Sequence, residues 1–345
     1  MNLSITKKTS FIITLISLGI TNFATYFYAV SENKKHTAEK ALNDSIDAFG
    51  NPGCSVKIQR LSGYDYIKPV LFVDQACESD KMSPIKQSVN TLIEEHKRLG
   101  TITDASFYLK EYQGNEWTGI NVDGKFLPGS LMKVPELICV LKLEEANPGF
   151  LNKTLTFNKA YNIDKKPKYL SKSIQMGQSY TVKELLTYMI AYSDNNATTL
   201  LFDNIDLSVF KKVFTDMGLQ APDFTAQNHP LSAKDFSIFM RILYNSSYLN
   251  EKHSEFATEL LGKCNFKDGL VAGLPSSVKV AHKFGESGDP QHSEFSESAI
   301  VYLRGNPYVL TVMTKGKTSE QLPGVVKQIS ETVYQQMEQA SKVSL

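Results

Sequence analysis

No basic tract with interleaved aromatics occurs in this sequence, and its formal net charge is only +1. Both absences argue against nucleic acid as a partner. The four cysteines include no C-x-x-C pair and the six histidines no H-E-x-x-H pattern. Neither a structural nor a catalytic zinc site is therefore expected, and no cofactor is called for. Internal repeats and low-complexity tracts are lacking too. What remains is a chain of 345 residues, 42% of them hydrophobic, which is enough for one large or two small domains with a substantial core.

Charge is also missing from one long run. FIITLISLGITNFATYFYAV, residues 11–30, carries none, and about 20 apolar residues suffice for a helix to span a bilayer. Tyr26 and Tyr28 suit an interfacial position at its far end. Lys7 and Lys8 precede the run and Lys34 and Lys35 follow it. The expected arrangement is a cytoplasmic segment over residues 1–10 and a single-pass anchor over 11–30, with the rest of the chain outside the cytoplasmic membrane. A signal peptide with a poor cleavage site at Ala29-Val30-Ser31 is the alternative.

Residues 31–50 are polar and read as a stalk. Residues 51–83 hold two strand-like runs, SVKIQRL and KPVLFVD, separated by SGYDY. Cys54 and Cys77 flank these runs. In an exported chain they are expected to form a disulfide, worth about 3 kcal/mol in the chain-entropy view; two free thiols are the alternative. Cys139 lies in an apolar run and reads as core, and Cys264 has no assigned role.

The segment PIKQSVNTLIEEHKRLG has helical spacing and a stop at Gly100. ASFYLKEY and WTGINV read as strands. From about residue 130 to 270 the period is helical. Strands return at SVKVAHKF, SESAIVYLR and YVLTVMTKG, and a last helix closes the chain. Strands at both ends with helices between imply an α+β fold, in which one antiparallel sheet is built from both ends of residues 84–342.

Three short motifs occur in order: Ser130-Leu131-Met132-Lys133, Ser193-Asp194-Asn195 and Lys283-Phe284-Gly285. Alone, each has an ordinary reading: a helix cap for Ser130 or Ser193-Asp194, a surface lysine for Lys283. The spacing S-x-x-K also recurs at Ser4, Ser31, Ser83, Ser208 and Ser276. As an ordered set, in these settings, the motifs resemble the S-x-x-K, S-D-N and K-T-G series of class A β-lactamases and penicillin-binding proteins.

A serine hydroxyl needs a base within hydrogen-bond reach, and positions i and i+3 share a helix face. Lys133 can therefore meet Ser130, and it must be neutral to accept the proton, which burial or nearby cations favour. The resemblance implies an acyl-enzyme on Ser130, formed with a β-lactam or a cell-wall peptide amide. It also implies an oxyanion hole from the N–H groups of Ser130 and Glu286, a proton relay at Ser193, a hydrogen-bonding role for Asn195, a positive charge at Lys283, and substrate-lining positions at Phe284 and Gly285.

The sequence departs from the family pattern in two places. The family's omega-loop Glu, which activates the deacylating water, should fall within QAPDFTAQNH, where Asp223 is the sole carboxylate. Phe284 replaces the hydroxyl residue that helps to bind a substrate carboxylate, and Ser298 stands where an assisting Arg often does. Either Phe284 packs under the sheet while Ser287 takes over, or the substrate group is less anionic. The departures also leave a second reading, a non-catalytic binding module on the same scaffold.

Overall fold

A computed structural model describes residues 54–161, 169, 172–225, 229–288 and 292–343. The expected anchor and stalk lie outside the described residues. Among those described, no helix is long and apolar enough to cross a membrane. Lys57–Leu345 forms one compact unit.

The strands β1 (Val56–Arg60) and β2 (Val70–Gln75) form a two-stranded sheet. Cys54 and Cys77 are disulfide-bonded, as expected of them, while Cys139 and Cys264 are free and buried. Helix α1 (Ser83–Arg98) follows, with a proline in its first turn, where the missing N–H costs nothing. Next come β3 (Asp104–Glu111) and β4 (Trp117–Ile120), then a 3-10 turn (Gly129–Met132) that runs into α2 (Lys133–Ala146).

The helical middle holds α3 (Val182–Ala191), α4 (Asn195–Phe202), α5 (Leu207–Asp216), α6 (Ala233–Tyr244) and α7 (Glu251–Gly262). It also holds a pair of three-residue strands, β5 (Thr154–Thr156) and β6 (Ser179–Thr181), too short for a periodicity reading to find. The starts of these helices are written locally. Thr181 and Glu184 form a reciprocal capping box on α3, and Ser232 and Asn250 cap α6 and α7. Each such cap satisfies backbone N–H groups that otherwise lack partners.

The chain closes with β7 (Val280–Gly288), β8 (Ser293–Val301), β9 (Tyr308–Gly316) and α8 (Leu322–Val343). The central sheet has the order β4-β3-β9-β8-β7 and is antiparallel throughout. Strands from both ends of the domain therefore meet, as the α+β reading expects. Side chains alternate across this sheet. Phe107 and Leu109 of β3 join α1 and α8 on one face, whereas Tyr108 joins the helical middle on the other. Such two-sided burial makes the register strongly specified. Strand β7 lies at one edge, and the site is built along it.

The β1–β2 sheet packs onto the helical middle. Leu71 and Phe72 are buried in that core, and Gln59 Nε2 donates to the Asp216 carbonyl of α5 at 3.1 Å.

Candidate active site

The turn before α2 presents Ser130, half-buried, beside β7. Two glycines permit that approach. A Cβ on Gly285 would collide with the Pro128 carbonyl, and one on Gly129 with the Glu286 carbonyl. Gly129 also has φ +53°, a left-handed conformation that glycine adopts freely. The same hypothetical Cβ atoms would lie 2.9 Å from Ser130 N and 2.9 Å from Glu286 N. The two amide nitrogens expected to form an oxyanion hole therefore belong to backbones in close contact. Leu127, just before the turn, is held from both sides: its N–H donates to Glu294 Oε2 at 2.7 Å, and its carbonyl accepts from Ser287 Oγ at 2.9 Å.

Lys133 is the hub of the site. Its Nζ lies 2.8 Å from Ser130 Oγ, 2.6 Å from Asn195 Oδ1, 3.1 Å from the Ser193 carbonyl and 3.3 Å from Ser193 Oγ. Lys283 Nζ reaches the same Ser193 Oγ at 2.9 Å. Five residues from three distant motifs thus share one hydrogen-bonded group. Ser193 enters it with φ +55°, an uncommon conformation for a residue with a Cβ. Asp194 fastens this corner: its carboxylate caps α4 through Asn196 N and accepts from Ser173 Oγ and Ile174 N. The cap reading of Asp194 and the clustering of its neighbours hold together.

Burial sets the electrostatics. It pushes Lys133 down to about 7, with the like charge of Lys283 adding to it and Glu136 and Asp194 opposing. Burial likewise brings Lys283 down to about 8. A Lys133 poised near neutrality supplies the uncharged amine that a base requires.

Two buried groups escape a reading of the sequence. Glu136, one helical turn beyond Lys133, is sealed in the core. Burial pushes its carboxyl up to about 8 against the pull of Lys133. A charged residue within VPELICVL was the available signal. Beside Lys283 in sequence, His282 Nδ1 donates to Glu297 Oε1 at 2.8 Å, and Leu270 N–H donates to Glu297 Oε2. Burial disfavours the His282 charge, but Cys264 and Glu297 hold its pKa up to about 9. Cys264 thus has surroundings that its position in sequence did not reveal.

Phe284 is brought to the site but sealed off from it. Its ring stacks on Phe266 at 4.2 Å and lies 4.1 Å from Lys283 Nζ, with 2% of its surface exposed. Packing, rather than substrate lining, accounts for it, because an aromatic cluster with Phe266 and Phe295 excludes solvent there. Ser287 does not take over freely, since its hydroxyl is spent on Leu127. Ser298 is paired with Lys283 across the strands and bonds Thr311 inside the sheet. Asp223 is exposed and accepts from Thr225 N and Oγ1. Restoring a hydroxyl by Phe284→Thr is therefore expected to cost about 3 kcal/mol of stability through lost packing. Urea denaturation would read it, and an unchanged midpoint would contradict the packing role.

The other S-x-x-K pairs among the described residues build nothing comparable. Lys86 pairs with Glu78 at the surface, and Lys211 and Lys279 lie over the rings of Phe224 and Tyr302. Position in the fold separates Ser130 from them.

Fold and sequence together place the chain in a class. Residues 84–337 match the beta-lactamase enzyme family, and the chain belongs to that family. The extended-spectrum beta-lactamase PER-1 of Pseudomonas aeruginosa is 24% identical over 245 residues, covering 63% of this chain and 77% of that protein. A beta-lactamase of Phocaeicola vulgatus is 26% identical over 186 residues, 47% of this chain and 58% of its own length. Among solved structures, PBP-A superposes with a TM-score of 0.62 at 21% identity, over 75% of this chain and 97% of that one. A mutant of PBP-A in acyl-enzyme complex with penicillin-G superposes at 0.63 and 20% identity, with the same coverage. A beta-lactamase from Chitinophaga pinensis gives 0.64 at 19% identity, over 74% and 99%. The fold is that of the class A beta-lactamase and penicillin-binding serine hydrolases.

Proposed function

We propose that this protein is a membrane-anchored, extracytoplasmic serine acyltransferase or hydrolase, which forms an acyl-enzyme on Ser130 with a β-lactam or a cell-wall peptide amide. The 2.8 Å contact between Lys133 Nζ and Ser130 Oγ, inside a buried two-lysine group, carries the reading. Neutral Lys133 takes the Ser130 proton as Oγ bonds to the substrate carbonyl carbon. The carbonyl oxygen becomes an oxyanion between the N–H groups of Ser130 and Glu286, where fixed donors stabilise developing charge. On collapse the C–N bond breaks, and the leaving nitrogen takes a proton through Ser193, which links the two lysines. Lys283 keeps positive charge beside that relay, and Asn195 holds Lys133 in line.

Deacylation is the slow half. The segment 220–229 contains no Glu, and its sole carboxylate, Asp223, is engaged with Thr225. The acyl-enzyme is therefore expected to persist, as in a penicillin-binding protein rather than an efficient lactamase.

Intact-protein mass after mixing the detergent-solubilised full chain with benzylpenicillin tests this. The wild type is expected to gain one lasting penicilloyl adduct, and Ser130→Ala none. Absence of both an adduct and Ser130-dependent loss of the drug would overturn the reading. The anchor rests on the uncharged run 11–30; release of the full chain from membranes by alkaline carbonate would refute it.

A further inference from the structure

A cavity of about 300 Å³ lies away from Ser130, between β2, the β3–β4 turn and the C-terminal end of α6. Its lining includes Phe72, Lys110, Tyr112, Arg241, Asn245 and Ser247. Two of these are cations, and Lys110 and Arg241 are each only 2% exposed. One carboxylate faces both. Asp74 accepts from Arg241 Nη2 at 2.6 Å and Nη1 at 3.4 Å, and lies 3.6 Å from Lys110 Nζ. Glu111, next to Lys110 in β3, spends its carboxylate on the N–H groups of Gln113, Gly114 and Glu116. The pocket thus concentrates more buried positive charge than its facing carboxylate balances, an arrangement that is costly unless something compensates.

Unspent hydrogen-bonding groups belong to residues of the same lining. Tyr112 Oη and Ser247 Oγ are buried and have no partner among the described residues. Arg241 uses three of its five N–H donors, on Asp74 and the Val73 carbonyl. The walls are aromatic: Phe72 lies under the Arg241 guanidinium at 4.9 Å, and Tyr112 stacks on Tyr244 at 3.8 Å.

We propose that this cavity binds a small organic carboxylate, its carboxylate against Lys110 and Arg241 and its apolar body along Phe72 and Tyr112. A monoanion fits better than phosphate, because Asp74 and the negative end of α6 both repel a second negative charge. The Tyr112 and Ser247 hydroxyls, buried without a partner among the described residues in the same lining, turn to supply the remaining donors. Such a ligand bridges β2 and α6 and binds only the folded chain, so it raises stability by mass action.

The only tryptophan is a built-in reporter, since Trp117 is the strand partner of Lys110. The full chain is titrated with cyclohexanecarboxylate against chloride at matched ionic strength, following Trp117 fluorescence and the thermal midpoint. A saturable response with a rise in midpoint is expected. Affinity should fall about tenfold in Lys110→Met and several-fold in Tyr112→Phe, which keeps the ring. It should also weaken as pH rises through about 8, where Lys110 loses its proton; burial and Arg241 lower that pKa, and Asp74 and Glu111 oppose. No saturable response beyond chloride would overturn the proposal. So would unaltered affinity in both variants, or inorganic phosphate binding as tightly. None of these readouts depends on acylation of Ser130.

Discussion

Lys133→Ala is expected to acylate with benzylpenicillin about a thousandfold more slowly than the wild type, which is about 4 kcal/mol of barrier. Lys133 is the sole amine bonded to Ser130 Oγ among the described residues, and Asn195 and the Ser193 carbonyl hold it there. Removing it leaves Ser130 without a base and Asn195 Oδ1 without its donor. The pH profile gives a second readout. Lys133 must be neutral, so the rate should climb as pH rises through about 7. Lys283 must be charged, so the rate should fall above about 8. The two lysines share Ser193 Oγ, and both limbs belong to the pair. Stopped-flow acylation between pH 5.5 and 9.5 would show a narrow optimum. A flat profile, or a wild-type rate in Lys133→Ala, would remove Lys133 from the role of base.

Asp74→Ala is expected to cost about 3–5 kcal/mol of folding stability. The loss is large because two buried cations remain. Arg241 and Lys110 would keep their burial and lose the one carboxylate that faces both. Lys110, already lowered by burial and by Arg241, would release its proton more readily still. The resulting loss should therefore be smaller at pH 9 than at pH 6, where both cations are charged. Urea denaturation at the two values checks this. A loss under 1 kcal/mol at pH 6 would mean that solvent reaches the pair.

Local signals in the chain determined most of the fold. Period-2 runs located the strands, 3.6-residue spacing the helices, and the order strands–helices–strands the sheet joined from both ends. They also determined which serine to watch, because three motifs in order carried more than any one S-x-x-K. Contacts between distant residues left no such mark. Lys133 meets Ser193 across 60 positions, Lys283 meets Ser193 across 90, and Arg241 meets Asp74 across 167.

Tertiary packing alone decided the rest. It buried Lys133 and Lys283 together, so that desolvation lowers both and the charge of Lys283 lowers Lys133 further. It turned Phe284 into a core aromatic instead of a substrate contact, and engaged Ser287 with Leu127. It surrounded Asp74 with two cations that the sequence scatters. The physical reason is common to all three: local pattern reports which side chain a helix or strand turns inward, whereas charge, access and pKa depend on what arrives from the opposite side.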